Sequence, residues 1–186
     1  SGAETTVTFD FGTISGGTLD GGVYSGAAFA SNGNGTKSIT LDSSNNSLQG
    51  IRDAINAAEI GVTASLINDG SGTPYRLVFS SDSQGISNSM KVSVSGDAAV
   101  GSLLAHDPAG TQNLSETVTA QNANFKLNGV AVTKTSNSVS DVLEGVTLNL
   151  YKVTSSPATL TVARDTASVG NSISSFVKAY NDLATT

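Results

Sequence analysis

Cysteine and tryptophan are absent from this sequence, and proline, methionine and histidine number only three, one and one in 186 residues. Without cysteine there is no disulfide framework, no thiolate metal site and no thiol nucleophile. That absence fixes no compartment, but it makes a secreted chain find its stability elsewhere. No run of 18 apolar residues occurs, so no segment reads as a membrane-spanning helix and no membrane partner is expected. The opening SGAETTVTF lacks the basic and apolar regions of a secretory signal, which implies export by a route that cuts no such signal here, or an internal fragment. Positive charge is scarce where it would matter for nucleic acid. Residues 1–120 carry four Lys or Arg against eleven Asp or Glu, and residues 121–186 carry five against four. An acidic first portion with no basic patch argues against phosphate-backbone binding, and no nucleic-acid partner is expected.

What is abundant is small and polar: Ser, Thr, Gly and Asn make up 84 residues, against six Phe and four Tyr. That composition suits short antiparallel strands joined by turns. The apolar residues alternate along segments instead of thinning out as in a disordered chain. The length allows one domain or two small ones with a buried core.

TTVTFDFGTI places Val7, Phe9 and Phe11 on one face of a strand. Glycine-rich residues 15–35 read as turns with one or two short strands around Val23 to Phe29, and Lys37 to Asp42 reads as another strand. SLQGIRDAINAAEIGVTASL then changes period. Leu48, Ile51, Ile55 and Ala58 line one helical face, with Ser47 to cap the start and Gly61 to end it in a left-handed turn. After it, Val62, Ala64 and Leu66 alternate with Thr63 and Ser65, and Tyr75, Leu77 and Phe79 complete a hairpin across a Gly-rich loop. Met90, Val92 and Val94 form a further strand face, and residues 96–111 read as a connector. Asn128-Gly129 is the strongest hairpin signal in the chain. Val139 to Gly145 reads as about one helical turn, VTLNL and ATLTV as strands, and DTASVGNSISSFVKAYNDL as a helix capped by Asp165 or Thr166. Its stripe is Val169, Ile173, Phe176, Val177 and Tyr180.

Chemistry is hard to find in this pattern. His106 beside Asp107 lacks a nucleophile, and no G-x-S-x-G elbow occurs. Asp10, Asp20, Asp69, Asp82 and Asp97 do not match a calcium-loop spacing, and NDGSG reads as turn chemistry. GNG at 33–35 lacks the remainder of a phosphate loop. Asn34, Asn45 and Asn113 sit in N-x-S/T triplets expected by chance in so Ser/Thr-rich a chain. Arg52 and Arg76 read as solvated charges. No catalytic, cofactor-binding or metal-binding residue is assigned, and no cofactor is expected.

Two long stretches carry a resemblance. LQGIRDAINAAEIGVTASLINDGSGTPYRLVFSSDSQGISNSMKVSV resembles the flagellin hook IN motif, with its Ile55-Asn56 pair on a helix, a V-x-A-S strand and R-L-x-x-x-S after a loop. AQNANFKLNGVAVTKTSNSVSDVLEGVTLNL resembles the following segment of flagellar filament cap proteins, the hook-associated protein 2 family, and FVKAYNDL looks like the start of that family's return helix. The resemblance covers about residues 37–186 and leaves 15–35 unexplained.

It implies an extracellular structural protein at the distal tip of the bacterial flagellum, which promotes folding and polymerisation of exported flagellin. The implied partners are other cap subunits in a ring, flagellin, and the hook–filament junction proteins during assembly. The alternative from another class is an adhesive module for a host glycan or mucin. The expected fold is mainly β with a few short helices, a β-rich α+β chain of two small antiparallel-sheet domains. Residues 13–111 form the distal domain, with helix 48–58 and hairpin 62–79. Residues 1–12 and 112–165 form a second, discontinuous one, and 166–186 begin a helical leg that leads toward coiled-coil regions. The helix at 48–58 is expected to cover one face of the first sheet.

Overall fold

The structure, a computed structural model, describes residues 4–161 and 166–185. The chain forms two compact units, Ser1–Leu150 and Tyr151–Thr186.

The first unit is organised around one long strand, β1 (Thr5–Asp20). Its first half lies between two antiparallel neighbours, β3 (Lys37–Leu41) and β6 (Ser89–Ser95), with Val7 opposite Ile39 on one side and Val94 on the other. Its second half continues as a two-stranded ribbon with β2 (Val23–Ser31). Central position explains burial: Val7 and Phe9 are fully enclosed, while the ribbon end of β1 is exposed. This pairing departs from the expectation that residues 1–12 join a second domain: among the described residues, 5–12 pair with β3 and β6 and, at Phe11 and Gly12, with residues 31–32, and with no strand after β6. Of residues 15–35, the strand expected around Val23 to Phe29 is present as β2, and residues 15–20, expected as turns, continue β1. The reversal needs only Gly21 and Gly22, both at positive φ (55° and 83°), the two-residue turn whose twist suits a hairpin.

The helix α1 (Leu48–Ala57) forms where its period places it. Ser47 Oγ accepts the Gly50 N–H at 3.0 Å, which satisfies one of the free amides of the first turn. Ile51 and Ile55 are buried, Leu48 is half-buried and Ala58 is exposed, so the covered stripe is shorter than the sequence suggests. The left-handed residue after the helix is Glu59 (φ 48°), and Gly61 (φ 82°) makes a second such turn into β4 (Val62–Asn68). β4 and β5 (Tyr75–Ser81) form a separate hairpin packed on the same core. There Phe79 meets Phe9 edge-on, with ring centroids 5.7 Å apart.

The connector read over 96–111 contains α2 (Ala98–Leu104), whose start is capped by Asp97 Oδ1 accepting the Ala99 N–H at 2.7 Å. Leu104 reaches the same core, which places this stretch with the first sheet and not at a boundary between domains. Beyond it, β7 (Ala123–Leu127) and β8 (Val130–Lys134) form a hairpin about Asn128-Gly129, as the sequence indicates. The helical turn expected at 139–145 is instead β9 (Ser138–Leu143), paired with β10 (Val146–Asn149) through a Glu144-Gly145 turn with Gly145 at φ 74°. Two residues with a positive-φ glycine close a hairpin, and Val139, opposite Leu148, is buried.

In the second unit, residues 158–161 form no strand, contrary to the reading of ATLTV, whose last residue lies outside the described ones. α3 (Thr166–Ala184) is a 19-residue helix with no buried residue; the candidate cap Asp165 lies outside the described residues.

Candidate functional surface

Two side-chain amides act as pieces of strand. Asn56, on the last turn of α1, donates Nδ2–H to the Ala64 carbonyl at 2.9 Å and accepts the Ala64 N–H on Oδ1 at 2.8 Å. The carboxamide has the same donor and acceptor as a peptide group, so it completes the outer edge of β4 at one residue and ties the helix to it. Ile55 then anchors the helix in the core while Asn56 locks its end. Gln112 does the same at the ribbon tip. Its Oε1 accepts the Tyr24 N–H at 2.7 Å and its Nε2–H donates to the Tyr24 carbonyl at 2.8 Å. The Glu116 N–H donates to the Gly22 carbonyl at 2.8 Å, so residues 112–116 hold the turn of the β1–β2 ribbon. Burial, reinforced by the neighbouring Glu116 carboxylate, pushes the Tyr24 hydroxyl up to about 12.

Loss of the Asn56 clamp has a measurable cost. Asn56→Ala removes two hydrogen bonds at about 0.5–1.5 kcal/mol each. It should lower stability by roughly 1–3 kcal/mol in urea melts while leaving the strand content intact. An unchanged midpoint would show that the clamp is replaceable by water.

His106 is buried, and its backbone pairs with Val92 in both directions (2.7 and 2.8 Å). Its Nδ1 lies 3.0 Å from the Leu114 carbonyl oxygen, which can only accept, so Nδ1 carries the proton. This is a structural histidine that steadies the 112–116 segment. Burial holds its pKa below the ordinary value, against the opposing pull of the Leu114 carbonyl, Glu116 and Asp107. The folded state therefore favours neutral imidazole. His106 contributes stability above the unfolded pKa of about 6.5, and that contribution is lost as pH falls through the lower folded value. Asp107, paired with Lys91 at 2.5 Å, is held below its ordinary value and so titrates in a more acid window. Wild-type protein should lose stability as pH falls below about 6.5, whereas His106→Asn should show a flatter profile there. Parallel profiles would remove His106 as the titrating group.

The acidic residues are dispersed and locally engaged. Asp10 accepts from the Ser31 hydroxyl at 2.8 Å, Asp82 from Thr63 at 2.7 Å, and Asp97 caps α2. Asp69 closes its own turn and pairs with Arg76 at 2.8 Å. The Ser71 hydrogen bonds, and then Arg76, bring its pKa to about 2. Arg52 pairs with the adjacent Asp53 at 2.7 Å. Asn45 braces the loop before α1 through Asp42 and Thr40, and Asn113 donates to the Gly101 carbonyl at 3.0 Å. Asn34 lies in an exposed loop where its N–H reaches Asn32 Oδ1. Among the described residues no three His, Cys, Asp or Glu side chains gather where they could hold a metal.

Two concavities among the described residues bear on recognition. An open polar bowl of about 810 Å³ is lined by Thr13, Asn32, Asp82, Gln84, Asn88 and Thr135. A more apolar groove of about 590 Å³ runs along β5 and β6 toward Leu114 and Val118. These residue types offer hydrogen bonds and contact area, with no nucleophile held by a base.

Sequence reasoning marks Asn56 only as half of the Ile-Asn pair, and it misses Gln112. No local signal could reveal Gln112, because its partner Tyr24 is 88 positions away and the ribbon register is not legible.

Comparison with known proteins points to one family. The model for the flagellin hook IN motif matches residues 30–83, and that for the flagellar hook-associated protein 2 C-terminus matches residues 120–186. The chain is 45% identical over 159 residues to the B-type flagellar hook-associated protein 2 of Pseudomonas aeruginosa, covering 78% of this chain and 33% of that protein. It thus spans about a third of the length of the curated relatives it matches. The crystal structure of the D1-D2-D3 domains of the flagellar cap protein FliD from Escherichia coli aligns with a TM-score of 0.73 at 35% identity, over 98% of this chain and 53% of that one. FliD from Pseudomonas aeruginosa aligns with a TM-score of 0.59 at 32% identity, over 98% and 89%.

Proposed function

The chain belongs to the flagellar hook-associated protein 2 family, and from that premise we propose that it is the β-rich head of a filament cap. In this reading the whole protein sits outside the cell at the distal tip of the bacterial flagellum. It promotes the folding and polymerisation of exported flagellin by contact, without bond-making. Copies of the chain assemble in a ring, flagellin subunits are the client, and α3 opens the helical leg. The hook–filament junction proteins are met during assembly.

The observation that carries this reading is the order of the two family matches on one chain, the hook IN motif followed by the C-terminal segment. The geometry supports it. The residues of the motif are spent on a rigid helix–hairpin module, and the side chains that could do chemistry are dispersed in turns and caps. Neither the relatives' names nor the fold favours an adhesive module.

Electron microscopy of cells with and without the gene tests the proposal. Cells lacking it should release unpolymerised flagellin and carry hooks without filaments, and the intact gene should restore growth. Filaments of normal length in the null strain would overturn the cap role.

A further inference from the structure

The β4–β5 hairpin has one closed edge and one open edge. Two bonds fix the phase of its ladder: the Asp69 N–H donates to the Pro74 carbonyl at 2.8 Å, and the Asp82 N–H donates to the Gly61 carbonyl at 3.0 Å. In an antiparallel pair, bonded and non-bonded residue pairs alternate. Along the observed register, Ile67 with Arg76, Ser65 with Val78 and Thr63 with Ser80 are therefore the bonded pairs. The residues between them turn their N–H and C=O away from the hairpin. On β4 these include Ala64, whose outward groups both meet the Asn56 amide, which confirms the phase independently. On β5 they are Leu77 and Phe79, and their outward backbone groups have no partner among the described residues.

Those groups face a built surface. Leu77 and Phe79 line the groove of about 590 Å³, whose floor and far wall include Met90, Val92, Leu114 and Val118. Val118 is 83% exposed beside it. An uncovered strand edge is a template for another strand, and natural proteins usually blunt it with Lys, Pro or a covering element. Here no Lys, Arg, Asp or Pro lines the groove, and Glu116 is its one acidic side chain. The floor accepts alternate apolar side chains, and the rim carries a single negative charge.

We propose that the open edge of β5 is a docking site for an extended peptide segment of a partner protein, which adds to the hairpin as a further strand. The occupant has apolar residues at alternate positions, free backbone amides opposite Leu77 and Phe79, and a basic residue to meet Glu116. This is β-strand addition: main-chain bonds give affinity, and the groove selects side chains. The site stands on strand register and charge alone and does not require the cap role. If that role holds, the occupant is a segment of a client presented before it has folded.

The test uses a short end-capped synthetic peptide of alternating valine and threonine with one central lysine, titrated into the intact chain. Three comparison probes are needed: its aspartate twin, its twin N-methylated on alternate amides, and the Val118→Lys protein, whose exposed substitution leaves the fold in place. Residue-resolved hydrogen exchange reports the edge directly. In the free protein the Leu77 and Phe79 amides should exchange faster than those of Val78 and Ser80, and the lysine peptide should slow them saturably. The aspartate twin should bind about tenfold more weakly, as expected where a like charge meets Glu116. N-methylation should abolish binding and Val118→Lys should weaken it. Absence of saturable binding, an N-methylated twin that binds equally, or binding that leaves Leu77 and Phe79 unprotected would each overturn the proposal. Protection of those amides in the free protein that rises with its concentration would also overturn it, by showing that the occupant is a second copy of this chain.

Discussion

Ile55→Asp should leave the first unit without a cooperative unfolding transition. Ile55 is fully enclosed, beside Ile51, in the core that α1 shares with Val7, Phe9 and Leu41 of the sheet and Val62 of the β4–β5 hairpin. Truncating such a residue alone costs about 2–5 kcal/mol. A carboxylate adds several more, because it must either desolvate or protonate in a site that offers it no partner. Domains of this size are stable by about 5–15 kcal/mol, so the substitution removes most or all of the margin. Arg52→Asp is the control on the same helix. Arg52 bonds only the adjacent Asp53, and surface changes of this kind stay within about 1 kcal/mol. Urea or thermal melts of the two variants decide the point: similar midpoints would show that α1 does not cover the core with its Ile51/Ile55 face.

That face was legible because it is local. Three residues at helical spacing, a serine before them and a change to period two after them depend on nothing distant in the chain. The Asn128-Gly129 hairpin was legible for the same reason, since the turn alone demands two residues at positive φ. What failed was of two kinds. Glycine signals turns, so residues 15–20 read as turns, although Gly16 pairs with Ala27 and Gly17 and Gly26 lie between paired residues of the ribbon. A strand's partners are set by register across the sheet, and a single sequence does not encode which of several alternating segments will flank β1. The 139–145 segment shows the same limit: Val139, Val142 and Leu143 fit a helical turn as well as a strand, and Leu148 opposite Val139 decides it. The surface followed the same rule. Asn56 was visible as a motif residue, but its bond to Ala64 depends on how α1 meets β4. The open edge of β5 is a property of the fold that no residue type announces.

Phe176→Asp should leave this chain folded and yet abolish filament growth when placed in the full-length protein. The sequence puts Val169, Ile173, Phe176, Val177 and Tyr180 on one face of α3, and all five are exposed, Phe176 at 72%. A helix of this length is marginal by itself in water, and most helical stability in proteins comes from packing an apolar face. A continuous exposed stripe of this size marks a face that is covered in its working state. On the proposed reading the cover is the rest of the helical leg, supplied by sequence outside the third of the family's length that this chain spans. The substitution costs the isolated chain little, because Phe176 is not buried in it, and the melting temperature should move by no more than about 5 °C, the scale of roughly 1 kcal/mol. In the full-length protein the same carboxylate falls in a helix–helix seam, where an unpaired charge costs several kcal/mol. Cells carrying the variant should then release flagellin monomers as the null strain does. A large loss of melting temperature in the isolated chain would show that Phe176 stabilises this chain itself, and normal filaments from the full-length variant would show that the stripe is not a working contact. Either result would end the assignment of α3 to the leg.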